Sequence, residues 1–202
     1  VEGDSDKAFY EEINNRLEKF GGNHIRHSIF LNAHGKHTAA EIAKPLRKIG
    51  IPTALILDID WVKEDGTVAK KYLDACGLPS GLHQGKIADR KQVRDYLIDA
   101  NVNYKRNGGV GILGGGKLDA ATEFFDTIDR YGLFTVRVGE VEAWLSRPDV
   151  SKNKSTWLFE MFASLGSDPD DEAYERPYDG DVWKFVGRVA DWLKDPDHRG
   201  ML

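Results

Sequence analysis

Six acids decide what chemistry this sequence could do: Glu2 and Asp6 in VEGDSD, Asp58 and Asp60 in LILDID, and Glu140 and Glu142 in GEVEAWL. Two carboxylates about 4 Å apart repel by roughly 4 kcal/mol at an effective dielectric near 20, so a knot of four or five must take up protons or cations. Oxygen-only ligands select hard ions, Mg²⁺ or Mn²⁺, with Ca²⁺ where the geometry is loose. Paired ions of this kind serve phosphoryl chemistry, activating a water and stabilising the leaving oxygen. The competing reading is plain helix chemistry, because acids in a first turn complement the helix dipole.

Whether the acids meet depends on the elements that carry them. PTALILDID (52–60) is a near-continuous apolar run ending in two acids, the pattern of a central parallel strand covered on both faces. Functional groups in such sheets collect beyond the carboxyl ends of the strands, and Asp58 and Asp60, two apart, share one face while the chain stays extended. LFTVRV (133–138) reads as another strand, delivering Glu140 and Glu142 to the same rim. If GEVEAWL is helical, those two point about 200° apart, so one faces the ions and the other is a first-turn acid. Val1, as the last residue of a strand, would set Glu2 about 4.8 Å away on a neighbouring strand.

The remaining pattern alternates strand and helix, which predicts an α/β fold with a parallel sheet. Helices are expected over 6–19, from Thr38 to Ile49, and over 89–104, 117–131, 155–165 and 182–193, with a further one starting at GEVEAWL. HSIFLNA (27–33) reads as a short buried strand. The stretch holding Gly66, Gly77, Pro79, Gly81 and Gly85 reads as looser. Trp144, Trp157, Trp183 and Trp192 fall on apolar faces and read as core.

The 202 residues, 41% hydrophobic and 30% charged, suffice for one sizeable domain or a domain with an appendage. No apolar run approaches the roughly 20 residues of a spanning helix, so no membrane association is expected. A single cysteine, Cys76, excludes an internal disulfide and fits a cytoplasmic location. A net charge of −5 argues against holding nucleic acid on a broad basic face. The chain opens at Val1 and enters a helical pattern almost at once, and the expectation is that upstream sequence is missing.

GILGGGKL (111–118) contains the spacing of a phosphate loop, but Leu118 stands where Ser or Thr should bind Mg²⁺. A hinge or a DNA-backbone contact suits it better, with Lys105, Arg106 and Lys117 nearby. NAHGKHT (32–38) offers His34, Lys36 and His37 at a strand-to-helix turn, where a substrate phosphate could be met.

VEGDSD, LILDID and GEVEAWL, in this order, resemble the Toprim (topoisomerase-primase) domain, specifically that of the overcoming-lysogenization-defect, or OLD, family nucleases. The resemblance implies a Rossmann-like parallel sheet flanked by helices over 1–147, with a helical insertion at about 67–131 and a helical extension over 148–202. It implies a DNA endonuclease using two Mg²⁺ or Mn²⁺ ions, with Ca²⁺ binding but not supporting cleavage. It makes Glu2, Asp6, Asp58, Asp60 and Glu142 metal ligands, with Glu140 as a less secure member, and Glu2, Asp58 and Asp60 catalytic through those ions. The family also implies a lysine from the helical tail beside the scissile phosphate. Lys184 is the choice here, with Lys152, Lys154 and Lys194 as alternatives. Implied partners are DNA and an N-terminal ATPase domain absent from this sequence, through which homo-oligomers would form. The alternatives are a Toprim ribonuclease and a non-cleaving, Mg²⁺-binding Toprim-like regulatory module.

Overall fold

The computed structural model describes residues 1–201, an α/β chain built around two short parallel strands. In chain order the elements are α1 (Asp4–Lys19), α2 (Lys36–Lys48), β1 (Leu55–Asp58), α3 (Gly66–Ala75), α4 (Ser80–Asp99), α5 (Gly115–Asp129), β2 (Leu133–Val136), α6 (Trp157–Leu165) and α7 (Asp181–Lys194). Strand β1 pairs with β2 in register from Leu55 opposite Leu133 to Asp58 opposite Val136. A parallel pair needs a long crossover, and α3, α4 and α5 supply it.

Alternation along the strands divides the interior into two cores. Leu55, Leu57 and Leu133 face one side, against Ala40, Tyr72 and Phe124 from α2, α3 and α5. Ile56, Phe134 and Val136 face the other, against Phe9 of α1, Trp157 of α6 and Phe185 of α7. Both strands are buried along their whole length, as the unbroken apolar run LILD requires. The four tryptophans read as core are all buried.

Helix α1 buries Phe9, Tyr10, Ile13 and Leu17 and ends at the expected glycine pair. Gly21 takes φ +70°, Gly21 N–H donates to Glu18 O, and Gly22 N–H to Leu17 O, the paired bonds that close a helix through a left-handed residue.

Three sequence expectations are corrected. The region from Gly66 to Gly85 is not loose: it forms α3 and the first turns of α4, with Gly77 between them. The Asp65 carboxylate caps α3 by accepting from Thr67 and Val68 N–H. GEVEAWL does not begin a long helix; it makes one 3₁₀ turn, Val141–Ala143. HSIFLNA makes no strand, and His27 at its start takes φ +52°. Val1 N–H donates to Leu31 O and Ala33 N–H to Val1 O. An apolar groove of about 480 Å³, lined by Val1, Ile29, Leu31, Ile42 and Ile56 among others, separates the segment from β1, and sheet pairing needs strands about 4.8 Å apart.

At the amino ends of the strands, Arg47 of α2 is fully buried. Its guanidinium donates to the carbonyls of Thr53, Tyr131, Gly132 and Gly200 and lies 4.9 Å from the Trp192 ring centroid. It thereby ties α2 to the chain entering both strands. Arg47→Met should cost at least about 3 kcal/mol in urea unfolding, because several buried carbonyls lose their donor at once. A loss under about 1 kcal/mol would show that those carbonyls find other partners.

Candidate metal centre

The carboxyl ends of the two strands gather the acids. Glu2 arrives just ahead of α1, and its Oε1 accepts a hydrogen bond from Asp58 N–H at 2.8 Å. That N–H points away from β2, so Glu2 occupies the free edge of β1 at the point where the strand stops. Asp6 lies in the first turn of α1. Asp58 ends β1 and is 8% exposed. Beyond it the chain turns into a 3₁₀ segment, Ile59–Lys63, so Asp60 is not carried by an extended strand. The two aspartates still converge: Lys105 Nζ lies 2.9 Å from Asp58 Oδ2 and 3.3 Å from Asp60 Oδ2.

Glu140 and Glu142 both reach this rim. Glu140 is extended and the 3₁₀ turn follows it, so the helical divergence expected between them does not arise. Lys154 Nζ stands 3.4 Å from Glu140 and 3.8 Å from Glu142, and Lys105 Nζ is 3.7 Å from Glu140. Arg106 adds a guanidinium 3.6 Å from Glu140. Lys36, from the turn NAHGKHT, bridges Asp60 at 3.2 Å and Glu64 at 2.8 Å.

Lys184 is not joined to this cluster. It is exposed on α7, and its Nζ lies 3.6 Å from Asp179. The tail lysine that does meet the acids is Lys154. Lys105 and Glu64 were not singled out as site residues by the sequence. The one signal for Lys105 was its place beside the glycine-rich loop. Gly109, just ahead of that loop, takes φ +57° and packs against the Arg137 carbonyl at the end of β2, which a Cβ there would strike.

Burial and mutual repulsion set the titration of the group. Burial first, then the charge of Asp58, lifts Glu2 to about 7 and Asp6 to about 6. Burial raises Asp58 above the ordinary carboxylate range despite Lys105, and raises Glu142 as well. For Asp60 burial acts upward too, but Lys105 and Lys36 together outweigh it and its pKa is lowered.

Among the described residues, no three acidic, histidine or cysteine side chains stand ready as they are to hold one ion. The donor chemistry nevertheless fits a hard cation. The converging side chains offer only oxygens, and Asp58 Oδ1, Glu140 Oε1 and Glu142 Oε2 are buried without a hydrogen-bond partner. What separates the oxygens from such an ion is ammonium groups, Lys105 foremost.

Residues 1–60 match the family model described as "Overcoming lysogenization defect protein-like, TOPRIM domain". Over that stretch the chain is similar to an OLD-like Toprim domain. The match spans Glu2, Asp6, Asp58 and Asp60, and stops before Glu140, Glu142 and the lysines at 105 and 154. No curated protein and no solved structure gives a match. A Toprim region of this kind points to nuclease- or topoisomerase-type chemistry on nucleic acid and to divalent metals such as Mg²⁺. Among the described residues, no helix is long and apolar enough to cross a membrane.

The raised acids make stability depend on pH in a definite direction. Glu2 and Asp6 keep protons up to about 7 and 6, whereas the unfolded chain releases them near 4.5 and 3.8. The folded state therefore binds more protons over that interval, and its stability falls as pH rises through it. In EDTA, the urea midpoint should decline between about pH 5 and pH 8, by on the order of 2 kcal/mol for Glu2 alone. Glu2→Gln should remove that share of the slope. A midpoint that climbs over the same range would contradict the burial-driven shifts.

Proposed function

We propose that this chain is a metal-dependent DNA endonuclease region, the nuclease part of an ATPase-nuclease protein of the OLD type. The observation that supports it best is the meeting of Asp58, Asp60 and Glu140 within 3.7 Å of a single cation, Lys105 Nζ. Acids so distant in sequence are brought to one positive charge at the carboxyl ends of parallel strands, where α/β folds bind their ligands.

Glu2, Asp6, Asp58, Asp60 and Glu142 would hold two Mg²⁺ or Mn²⁺ ions, with Glu140 joining them. Two such ions supply, when bound, the charge that activates a water and steadies the leaving oxygen of a phosphodiester. The chain's own residues position and shield. Glu2 fixes the end of β1 through the Asp58 N–H. Lys154, more than half exposed yet within 4 Å of Glu140 and Glu142, extends to where a substrate phosphate would lie and takes the role expected of Lys184. Lys36 and Arg106 border the acids, and Lys152 donates to the Arg106 carbonyl; all three suit contacts to the DNA backbone, which position a duplex without reading its sequence.

Lys105 among the carboxylates favours one competing reading, a Toprim-like module that cleaves nothing and is held by internal ion pairs. Nicking of supercoiled plasmid separates the two. The chain should nick in Mg²⁺ or Mn²⁺ and not in EDTA, and Asp60→Ala should abolish the activity. Lys154→Ala should bind ions normally and lose about 10²- to 10³-fold in turnover, as removal of one transition-state donor does. Lys184→Ala should match the parent. Nicking retained by Asp60→Ala would sink the metal assignment, and Lys184→Ala failing where Lys154→Ala succeeds would return the phosphate lysine to α7.

A further inference from the structure

Lys105 lies between α4 and the 3₁₀ turn Gly109–Ile112, far in sequence from every acid it touches. Its backbone is clamped to the end of β2. Gly139, at φ +128°, packs on the Lys105 carbonyl so closely that a Cβ there would collide with it, and Val110 N–H donates to Arg137 O at 2.8 Å. The backbone is thus fixed while a four-carbon stem carries the charge, and lysine, unlike arginine, is a compact point charge free to swing.

The ammonium sits where positive charge is most needed, yet it satisfies the acids incompletely. One bond to Asp58 is short, the approaches to Asp60 and Glu140 are 3.3 and 3.7 Å, and Asp58 Oδ1 and Glu140 Oε1 stay buried without a hydrogen-bond partner, Arg106 standing 3.6 Å from the latter. An ion pair built only to hold the fold would leave fewer oxygens unused. Oxygens arranged for a smaller, doubly charged ion with more ligands would look like this when a monovalent ammonium stands in for it.

We propose that Lys105 is an internal counter-cation of the acidic cluster, and that a divalent ion binds by displacing its ammonium from Asp58, Asp60 and Glu140. The inference rests on the reading of that cluster as a divalent-ion site. In the ion-free protein Lys105 relieves the repulsion among the acids, and ion and ammonium exclude each other. By linkage, whatever Lys105 contributes to the ion-free state is subtracted from ion affinity.

The test compares wild type, Lys105→Met and Arg106→Met by Mn²⁺ titration, thermal unfolding and amine labelling. Lys105→Met should bind Mn²⁺ at least about fivefold more tightly than wild type, the lower end of ordinary coupling between sites. Arg106→Met, which removes an exposed charge beside Glu140 without vacating the position, should change affinity by less than about twofold. In EDTA, Lys105→Met should melt below wild type, with the gap closing at saturating Mn²⁺. Reductive methylation followed by mass spectrometry should find Lys105 protected in EDTA and labelled faster once Mn²⁺ is added. Equal or weaker Mn²⁺ binding by Lys105→Met, or labelling of Lys105 unchanged by Mn²⁺ that demonstrably binds, would overturn the proposal and leave the metal reading standing. No Mn²⁺ binding by either protein at millimolar concentration would instead defeat the metal reading. In that case a Lys105 labelling rate unaffected by Asp58→Asn with Asp60→Asn would overturn the counter-cation role as well.

Discussion

Repulsion among buried carboxylates is the constraint around which the rest of this molecule is arranged. Asp58, Glu140 and Glu142 are each less than a tenth exposed, and Glu2 and Asp6 border them. Charges so close in a poorly hydrated place cannot all be left ionised and uncompensated. The chain answers in two ways. Glu2 and Asp6 hold their protons to nearly neutral pH, and three lysines are brought in from separate segments. Lys36 opens α2, Lys105 comes from the link between α4 and α5 within the crossover, and Lys154 from the loop before α6. The crossover therefore does more than connect parallel strands: the link between α4 and α5 returns to the strand ends and delivers a cation there.

The two ends of the short sheet divide the labour. At the amino ends, Arg47 satisfies backbone carbonyls with no carboxylate partner, and the packing of Trp192 covers it. That arrangement fixes where the strands begin and has no exposed reactive group. At the carboxyl ends, buried oxygens are left unsatisfied and several ammonium groups are held loosely. Unmet hydrogen-bonding capacity is costly in a core, and the three buried oxygens of Asp58, Glu140 and Glu142 share one rim where a cation would repay it. The two glycines that press on carbonyls there, Gly109 and Gly139, show how closely the loops must approach to bring Lys105 in.

Much of this was legible in the sequence, for local reasons. The apolar run of β1 followed by two aspartates, the helical spacing of Phe9, Ile13 and Leu17, and the glycine pair closing α1 are patterns contained within a few residues. The middle of the chain misled because glycine density was read as looseness. Most of those glycines lie in or at the ends of helices whose burial comes from Tyr72, Leu73, Val93 and Leu97. The segment 27–33 has strand composition, but composition does not supply a neighbour at pairing distance. Lys184 looked suited to catalysis because it opens an amphipathic helix, yet α7 buries Val182, Trp183, Phe185 and Val186 and leaves Lys184 on the outer face. Lys105 and Lys154 could not be ranked at all, since only the folded path of the chain sets them beside acids 45 residues away in one direction and 14 in the other.

The acidic balance of the chain and a nucleic-acid substrate are compatible once charge is considered by place rather than in sum. The net charge of −5 is averaged over the whole surface, whereas a nucleic-acid backbone that approached the strand ends would meet Lys36, Arg106 and Lys154 around the rim. Charges farther away than a Debye length, about 8 Å at physiological salt, are largely screened, so the rim counts for more than the total. Beneath the rim the bed remains negative until cations enter it, and a phosphate would be repelled from the ion-free site. Divalent ions filling the bed would reverse its sign, which makes ion loading and substrate approach favour one another through the same few carboxylates.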